Sequence, residues 1–156
     1  MTERVTVSLL IAHPEVLPLV SGWFRHEWPD WYGPEGPGDV EKDLRSFSNE
    51  GSLPLGIIAF EDGVPCGAAA LKAESIPSHT HLRPWAAAGF VVPQLRGRGI
   101  GARLLSALEV EAKILGYACI HCGTATANSL LRRAEWRVID SVRLRGKEVS
   151  VYEKAL

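Results

Sequence analysis

Apolar and polar residues alternate weakly from Val5 to Ile11, and that period of two predicts a strand. From Pro14 to Trp28 the period lengthens. Leu17, Val20, Phe24 and Trp28 recur at helical spacing, with Pro14 near the first turn. Pro29 to Gly38 carries three prolines and three glycines and predicts a loop. Asp39 then caps a short helix through Phe47, with Val40, Leu44 and Phe47 on one face. Leu55 to Phe60 and Val64 to Ala73 flank Glu61-Asp62-Gly63, the pattern of a hairpin. Glu74 to Pro84 shows no period. Trp85 to Val92 is almost continuously apolar, as in a central strand covered on both faces. In Gly99 to Leu115 a stripe of Ile100, Leu104, Leu108, Ala112 and Leu115 predicts an amphipathic helix, stopped by Gly116. Ala118 to Gly123 predicts a strand and Ala127 to Glu135 a short helix. Val138 to Leu144 and Glu148 to Lys154 predict a closing hairpin around Arg145-Gly146-Lys147.

The order β-α-α-β-β-β-α-β-α-β-β predicts an α/β fold, a mixed central sheet with helices on both faces, in one domain over residues 1–156. Composition fits that picture. The chain has 156 residues, 46% hydrophobic and 22% charged, enough for one sizeable core. A net charge of −1 supplies no field to draw it to nucleic acid or to an anionic membrane, and neither is expected as a partner. No apolar run spans a bilayer, and Met1 to Leu10 lacks the pattern of a leader. Three cysteines are too few for a disulfide framework, so a reduced, cytoplasmic protein is expected. Within Cys119-Ile120-His121-Cys122 the two cysteines fall on opposite faces of a strand, which predicts structural thiols and no metal pair.

The chemistry concentrates where the apolar strand ends. Pro93 is followed by Gln94-x-x-Gly97-x-Gly99-x-Gly101, and then by the long helix. Such a junction presents unpaired backbone N–H groups at the positive end of a helix, and Arg96 and Arg98 add charge beside them. The same glycines also serve a tight strand-to-helix turn that needs permissive dihedrals. The spacing is not G-x-x-x-x-G-K-S/T, which excludes a P-loop. A dinucleotide fingerprint belongs near the first strand, whereas four strand-like segments precede this loop.

Val91-Val92-Pro93-Gln94-Leu95-Arg96-Gly97-Arg98-Gly99-Ile100-Gly101 resembles the acetyl-CoA signature, Q/R-x-x-G-x-G/A, of the GNAT (GCN5-related N-acetyltransferase) family. His26-Glu27-Trp28, Pro84-Trp85 and Trp136-Arg137-Val138-Ile139-Asp140 resemble a bacterial branch of unassigned substrate. The resemblance covers nearly the whole chain. It implies a mostly antiparallel sheet and acetyl transfer from acetyl-CoA, the co-substrate, to the primary amine of a small molecule, peptide or protein. A non-catalytic acyl-CoA-binding module of the same fold is the alternative, and the protomer is expected to be a monomer or a homodimer. The strand ending at Val92 would splay from Ala118 to Gly123 and admit the pantetheine arm. The cofactor-binding set would be Phe90, Val91, Val92, Leu95, Arg96, Gly97, Arg98, Gly99, Ile100, Gly101, Ala102 and Asn128. In it, Phe90 and Val92 pair with pantetheine amides, and the amides of Leu95 to Gly101 hold the pyrophosphate.

The resemblance also frames the catalytic residues. The Val92 N–H would stabilise the oxyanion. Glu27 and His81 are the expected bases, with His26 and His79 as further candidates. The family often carries a tyrosine in F-Y-x-x-x-G-W/F as the acid for the departing thiolate. Here Leu131 stands at the tyrosine and Glu135 at the glycine. Solvent, Tyr117, Tyr152 or Cys122 would have to replace that acid. Trp23, Phe24, Trp28, Trp31 and Tyr32 would wall the acceptor site. Asp30, Glu35, Asp39, Glu41 and Asp43 bias that side toward a cationic acceptor.

Overall fold

A computed structural model describes residues 4–156. Met1 to Glu3, at the head of the segment read as lacking leader character, lie outside the described residues. Among the described residues seven strands form one sheet: β1 Val5–Leu9, β2 Leu55–Glu61, β3 Val64–Lys72, β4 Trp85–Val91, β5 Cys119–Thr124, β6 Arg137–Leu144 and β7 Lys147–Ala155. Their spatial order is β1-β2-β3-β4-β5-β7-β6. Every pairing is antiparallel except β4 with β5. The helices are α1 Leu17–Glu27, α2 Pro29–Tyr32, α3 Val40–Phe47, α4 Ile100–Ile114 and α5 Asn128–Arg133. The expected mixed, mostly antiparallel sheet with helices on both faces is what forms. No helix among the described residues is long and apolar enough to cross a membrane.

The departures from the expected elements are local. Leu10 and Ile11, expected at the end of the first strand, belong instead to a 3-10 turn over Leu10–Ala12, and a second such turn at Pro14–Val16 leads into α1. The proline-rich segment holds α2, with Pro29 at its first position. Asp39 caps α3 as expected, its carboxylate accepting from the Lys42 N–H at 3.1 Å.

α4 covers one face of the sheet. Ile100, Leu104, Leu105 and Leu108 pack there against Ile57, Leu71, Ile120 and Tyr152. On the opposite face α1 and α3 press Val20, Phe24, Leu44 and Phe47 onto Ile58, Ala68 and Phe90. That same face, over β5 and β7, is covered by the β3–β4 connection, where Ile76 meets Trp85, Val149 and Val151.

The decisive irregularity is in β4. Ala68 pairs with Phe90 and Ala70 with Ala87, so two residues of β4, Ala88 and Gly89, oppose the single residue Ala69. This is a β-bulge, and Ala88 sits in the left-handed region at φ 54°. A bulge bends its strand and sharpens the twist. β4 and β5 accordingly pair only at Trp85–His121 and Ala86–Cys122, before the bulge, and part beyond it.

Glu135 has φ 68°, at the position where the resembled family carries glycine. It ends α5 in a left-handed cap, with the Trp136 N–H reaching the Leu131 carbonyl at 3.0 Å. Glu135→Gly is expected to stabilise the fold by about 1 kcal/mol, a rise of about 2–4 °C in Tm. An unchanged or lower Tm in thermal unfolding contradicts this account of the cap.

Candidate active site

The site begins where β4 leaves β5. Backbone N–H and C=O groups alternate sides along a strand. The Val92 N–H donates to the Cys66 carbonyl at 2.9 Å, toward β3. Phe90, two residues earlier, pairs with Ala68, and its carbonyl lies 2.9 Å from where a Cβ on Gly67 would stand. The backbone groups of Phe90 and Val92 are therefore spent on β3. Those of Gly89 and Val91 face the gap left by β5. This corrects the expectation that Phe90 and Val92 would pair with a ligand arm and that the Val92 N–H would serve an oxyanion. The sequence shows which residues form the strand but not the bulge that sets their facing.

The loop after β4 is likewise partly self-satisfied. The Leu95 N–H donates to Val92 at 3.0 Å and the Arg96 N–H to Pro93 at 3.3 Å, within a 3-10 turn. Leu95 and Arg96 thus drop out of the expected set of anion-binding amides. Among the described residues the N–H groups of Gly97, Arg98, Gly99, Ile100, Gly101 and Ala102 find no protein partner. Gly97 and Gly99 hold φ of 82° and 88°, so the turn itself requires glycine there. Gly101 is different: it is helical, and a Cβ added to it would make only an ordinary contact with Leu130 at 3.5 Å. Those six amides open at the positive end of the 15-residue α4, the arrangement that binds phosphate.

Two arginines flank this cradle. Arg98 is exposed and makes no hydrogen bond or ion pair among the described residues. Arg96 folds back along the gap. Its Nε donates to the Val91 carbonyl at 2.7 Å, its Nη2 to Glu27 Oε1 at 3.2 Å, and its guanidinium lies over the Phe90 ring at 5.4 Å. Glu27, the last residue of α1, is in this way brought to the mouth of the gap.

The histidines separate clearly. His26 and His81 are exposed, and His81 stacks on His79 at 5.8 Å. His79 is buried, with Nε2 at 2.7 Å from Asp140 Oδ2 and Nδ1 at 2.7 Å from Ser78 Oγ. In the neutral tautomer that fits this network, Nε2–H donates to Asp140 and the Nδ1 lone pair accepts from the Ser78 hydroxyl. The hydrogen bond from His79, followed by that from the Ser141 N–H, holds the Asp140 carboxyl below the usual carboxylate range. Asp140 lies on β6 beside Val151, and Val151 pairs with Gly123 on β5. The histidine–aspartate pair therefore sits at the end of β5 that β4 has vacated. The sequence points to His79 as a candidate but carries no sign that Asp140, 61 residues away, is its partner.

Of the candidate acids, Tyr117 precedes β5 and lies at its far end. Burial pushes the Cys122 thiol up to about 12. Leu131 is packed in the core beside Trp136 and Tyr152. Tyr152 reaches α5, where its hydroxyl donates to Asn128 Oδ1 at 2.7 Å. That contact gives Asn128 a protein partner the sequence did not suggest.

On the acceptor side Phe24 is core, Trp23 stacks on Phe90 at 5.2 Å, and Trp31 is exposed. Arg145, in the β6–β7 turn, lies over the Trp31 ring at 4.1 Å and bridges the two sides of the opening. Much of the acidity noted there is structural. Asp39 caps α3, Glu41 pairs with Arg25, and Asp43 accepts from the Tyr32 hydroxyl at 2.6 Å.

The sequence profile of the acetyltransferase (GNAT) family matches residues 20–133. Solved structures share the fold over nearly the whole chain. An aminoglycoside 6'-N-acetyltransferase complexed with coenzyme A superposes with a TM-score of 0.77 at 14% identity, covering 96% of each chain. The putative acetyltransferase yncA of Salmonella typhimurium, with acetyl-CoA, gives 0.77 at 18% identity, covering 98% of this chain and 94% of its own. Arabidopsis thaliana Naa50, in complex with a bisubstrate analogue, gives 0.70 at 16%, covering 99% and 100%. At such identities the likeness is one of fold. No curated protein sequence matches the chain.

Gly101 separates a structural from a ligand-binding role for the glycines. Gly101→Ala is expected to stabilise the fold by about 0.5 kcal/mol, because its Cβ has room. It is expected to weaken acetyl-CoA binding by about tenfold, ~1.4 kcal/mol, because a side chain at Gly101 hinders close approach of a phosphate to the backbone there. Unchanged affinity by calorimetry contradicts close approach of the ligand at this turn.

Proposed function

The chain belongs to the GNAT acetyltransferase family, and on that premise we propose that it transfers the acetyl group of acetyl-CoA directly to a primary amine, with both substrates bound together. The acceptor is a small molecule or a peptide or protein amine. One observation carries the reading: the half-open edge of β4 runs straight into the unpartnered amides at the start of α4. An arm with its own amides followed by a pyrophosphate has matching partners in that order. Acetyl-CoA supplies the activated thioester; the chain positions it and manages protons.

Val91, next to the loop, pairs with the near part of the arm. Gly89, two residues deeper, faces the thioester end, and its N–H is placed to stabilise the oxyanion. Pantetheine competes with Arg96 for the Val91 carbonyl. The phosphates give the displaced guanidinium a stronger partner than the half-exposed Glu27. Glu27, relieved of Arg96, then presents its carboxylate to an ammonium acceptor. His79 is the base. Asp140 holds its ring, and Nδ1 takes the acceptor's proton through the Ser78 hydroxyl. As the C–N bond forms and the C–S bond breaks, the thiolate leaves toward Tyr152, whose hydroxyl Asn128 fixes. Much of the rate comes from holding amine and thioester together.

The test is release of free thiol from acetyl-CoA across a panel of small amines and short peptides. His79→Gln is expected to lower kcat by about 100-fold while acetyl-CoA affinity is kept. Asp140→Asn, at a positioning residue, is expected to lower kcat while acetyl-CoA affinity is kept, because the His79 ring loses its carboxylate partner. Tyr152→Phe is expected to lower kcat without weakening cofactor binding; an unchanged kcat returns that proton to solvent. Leu131 supports one other reading, a module that binds acyl-CoA without catalysis. Tight acetyl-CoA binding with no turnover on any amine would favour it.

A further inference from the structure

The strand face at the other end of β5 carries a group of side chains that acetyl transfer does not use. Cys119 and His121 point to the same side of β5, and Glu153 stands opposite His121 on β7. Their ligand atoms, Sγ, Nε2 and a carboxylate oxygen, all lie within 4.8 Å of one another. His121 is buried, whereas Cys119 and Glu153 remain partly open. The site is remote from the gap, because His121 pairs with Trp85 at the closed end of the β4–β5 contact.

The hydrogen bonds around this group aim it inward. His121 Nδ1 faces the Pro84 carbonyl at 3.3 Å, a contact that the Nδ1–H tautomer satisfies. His121 Nε2 then faces Glu153 Oε2 at 3.0 Å and Cys119 Sγ at 3.9 Å. In the Nδ1–H tautomer the Nε2 lone pair and the carboxylate oxygen face each other and need a positive charge between them. A proton on Nε2 supplies it in the simplest case; a metal ion supplies it equally. Arg137 Nη2 donates to the other carboxylate oxygen, Oε1, at 3.2 Å and so turns Oε2 toward the histidine. A backbone carbonyl behind the imidazole and a donor behind the carboxylate are the outer partners that fix ligands in metal sites.

We propose that Cys119, His121 and Glu153 bind a thiophilic divalent cation of the zinc type, with a fourth position open to water. Sulfur, nitrogen and oxygen together suit Zn²⁺ or Co²⁺ and not Mg²⁺ or Ca²⁺. Binding displaces the Cys119 thiol proton and any proton on His121 Nε2, and no electron moves. Burial and the Glu153 charge push the Cys119 thiol up, a cost that a cation between sulfur and carboxylate reverses. Such an ion ties β5 to β7 and to the Pro84 turn. Its effect is on stability and not on the acetyl-transfer chemistry.

The probe is Co²⁺ added to chelator-treated full-length protein and followed by absorbance, with Zn²⁺ as competitor. Equimolar binding with a sulfur-to-cobalt charge-transfer band, bleached by Zn²⁺ and accompanied by proton release, is expected. Cys119→Ser loses the band, Glu153→Gln weakens binding, and Cys66→Ser, at a buried thiol elsewhere, leaves both unchanged. Circular dichroism confirms that each variant is folded. Absence of the band, or a band that survives Cys119→Ser, overturns the proposal and leaves a proton as the bridging charge.

Discussion

One extra residue in β4 sets up the site. Ala88 takes a left-handed conformation that costs an alanine about 1–2 kcal/mol, and the bulge it forms ends the β4–β5 ladder after two paired positions. Everything cofactor-facing follows from that break. Without it, the Gly89 and Val91 backbone groups would be consumed by β5. The buried faces of the sheet hold the bulge in place, with Ile100 and Leu104 on one side and Phe24 and Phe90 on the other. A strained backbone held by surrounding packing is common at functional sites.

The second constraint is accounting. Each amide between β4 and α4 must either find a protein partner or remain for a ligand. Leu95 and Arg96 spend theirs in the turn; the next six do not. Gly97 and Gly99 are required by their dihedrals whatever binds, so their presence alone does not demonstrate a ligand site. Gly101 does bear on it, because the helix would accept alanine there.

This accounting explains which features were legible in the sequence. The glycine loop, the α4 stripe, both hairpins and the Asp39 cap are local patterns, and the structure keeps them. Strand parity was not legible: nothing in the sequence marks the bulge at Ala88 and Gly89, and the backbone roles that the resemblance gave Phe90 and Val92 fell one residue out of step. The partners of the catalytic candidates were not legible either. Asp140 reaches His79, Glu153 reaches His121, and Tyr152 reaches Asn128 only after β6 and β7 have folded back beside β5. The acidity counted in the sequence is partly spent within the structure, since Asp39, Glu41 and Asp43 commit their carboxylates to capping, to Arg25 and to Tyr32.

Residue-resolved amide hydrogen exchange, with and without acetyl-CoA, tests the bulge and its consequences most directly. The account predicts that the Val92 amide, bonded to Cys66, is protected in both conditions. It predicts that Gly89 and Val91 exchange quickly alone and become protected when acetyl-CoA is added, together with Gly97 to Ala102. Protection gained at Phe90 and Val92, with Gly89 and Val91 unchanged, would contradict the facing of β4 on which the proposed chemistry rests.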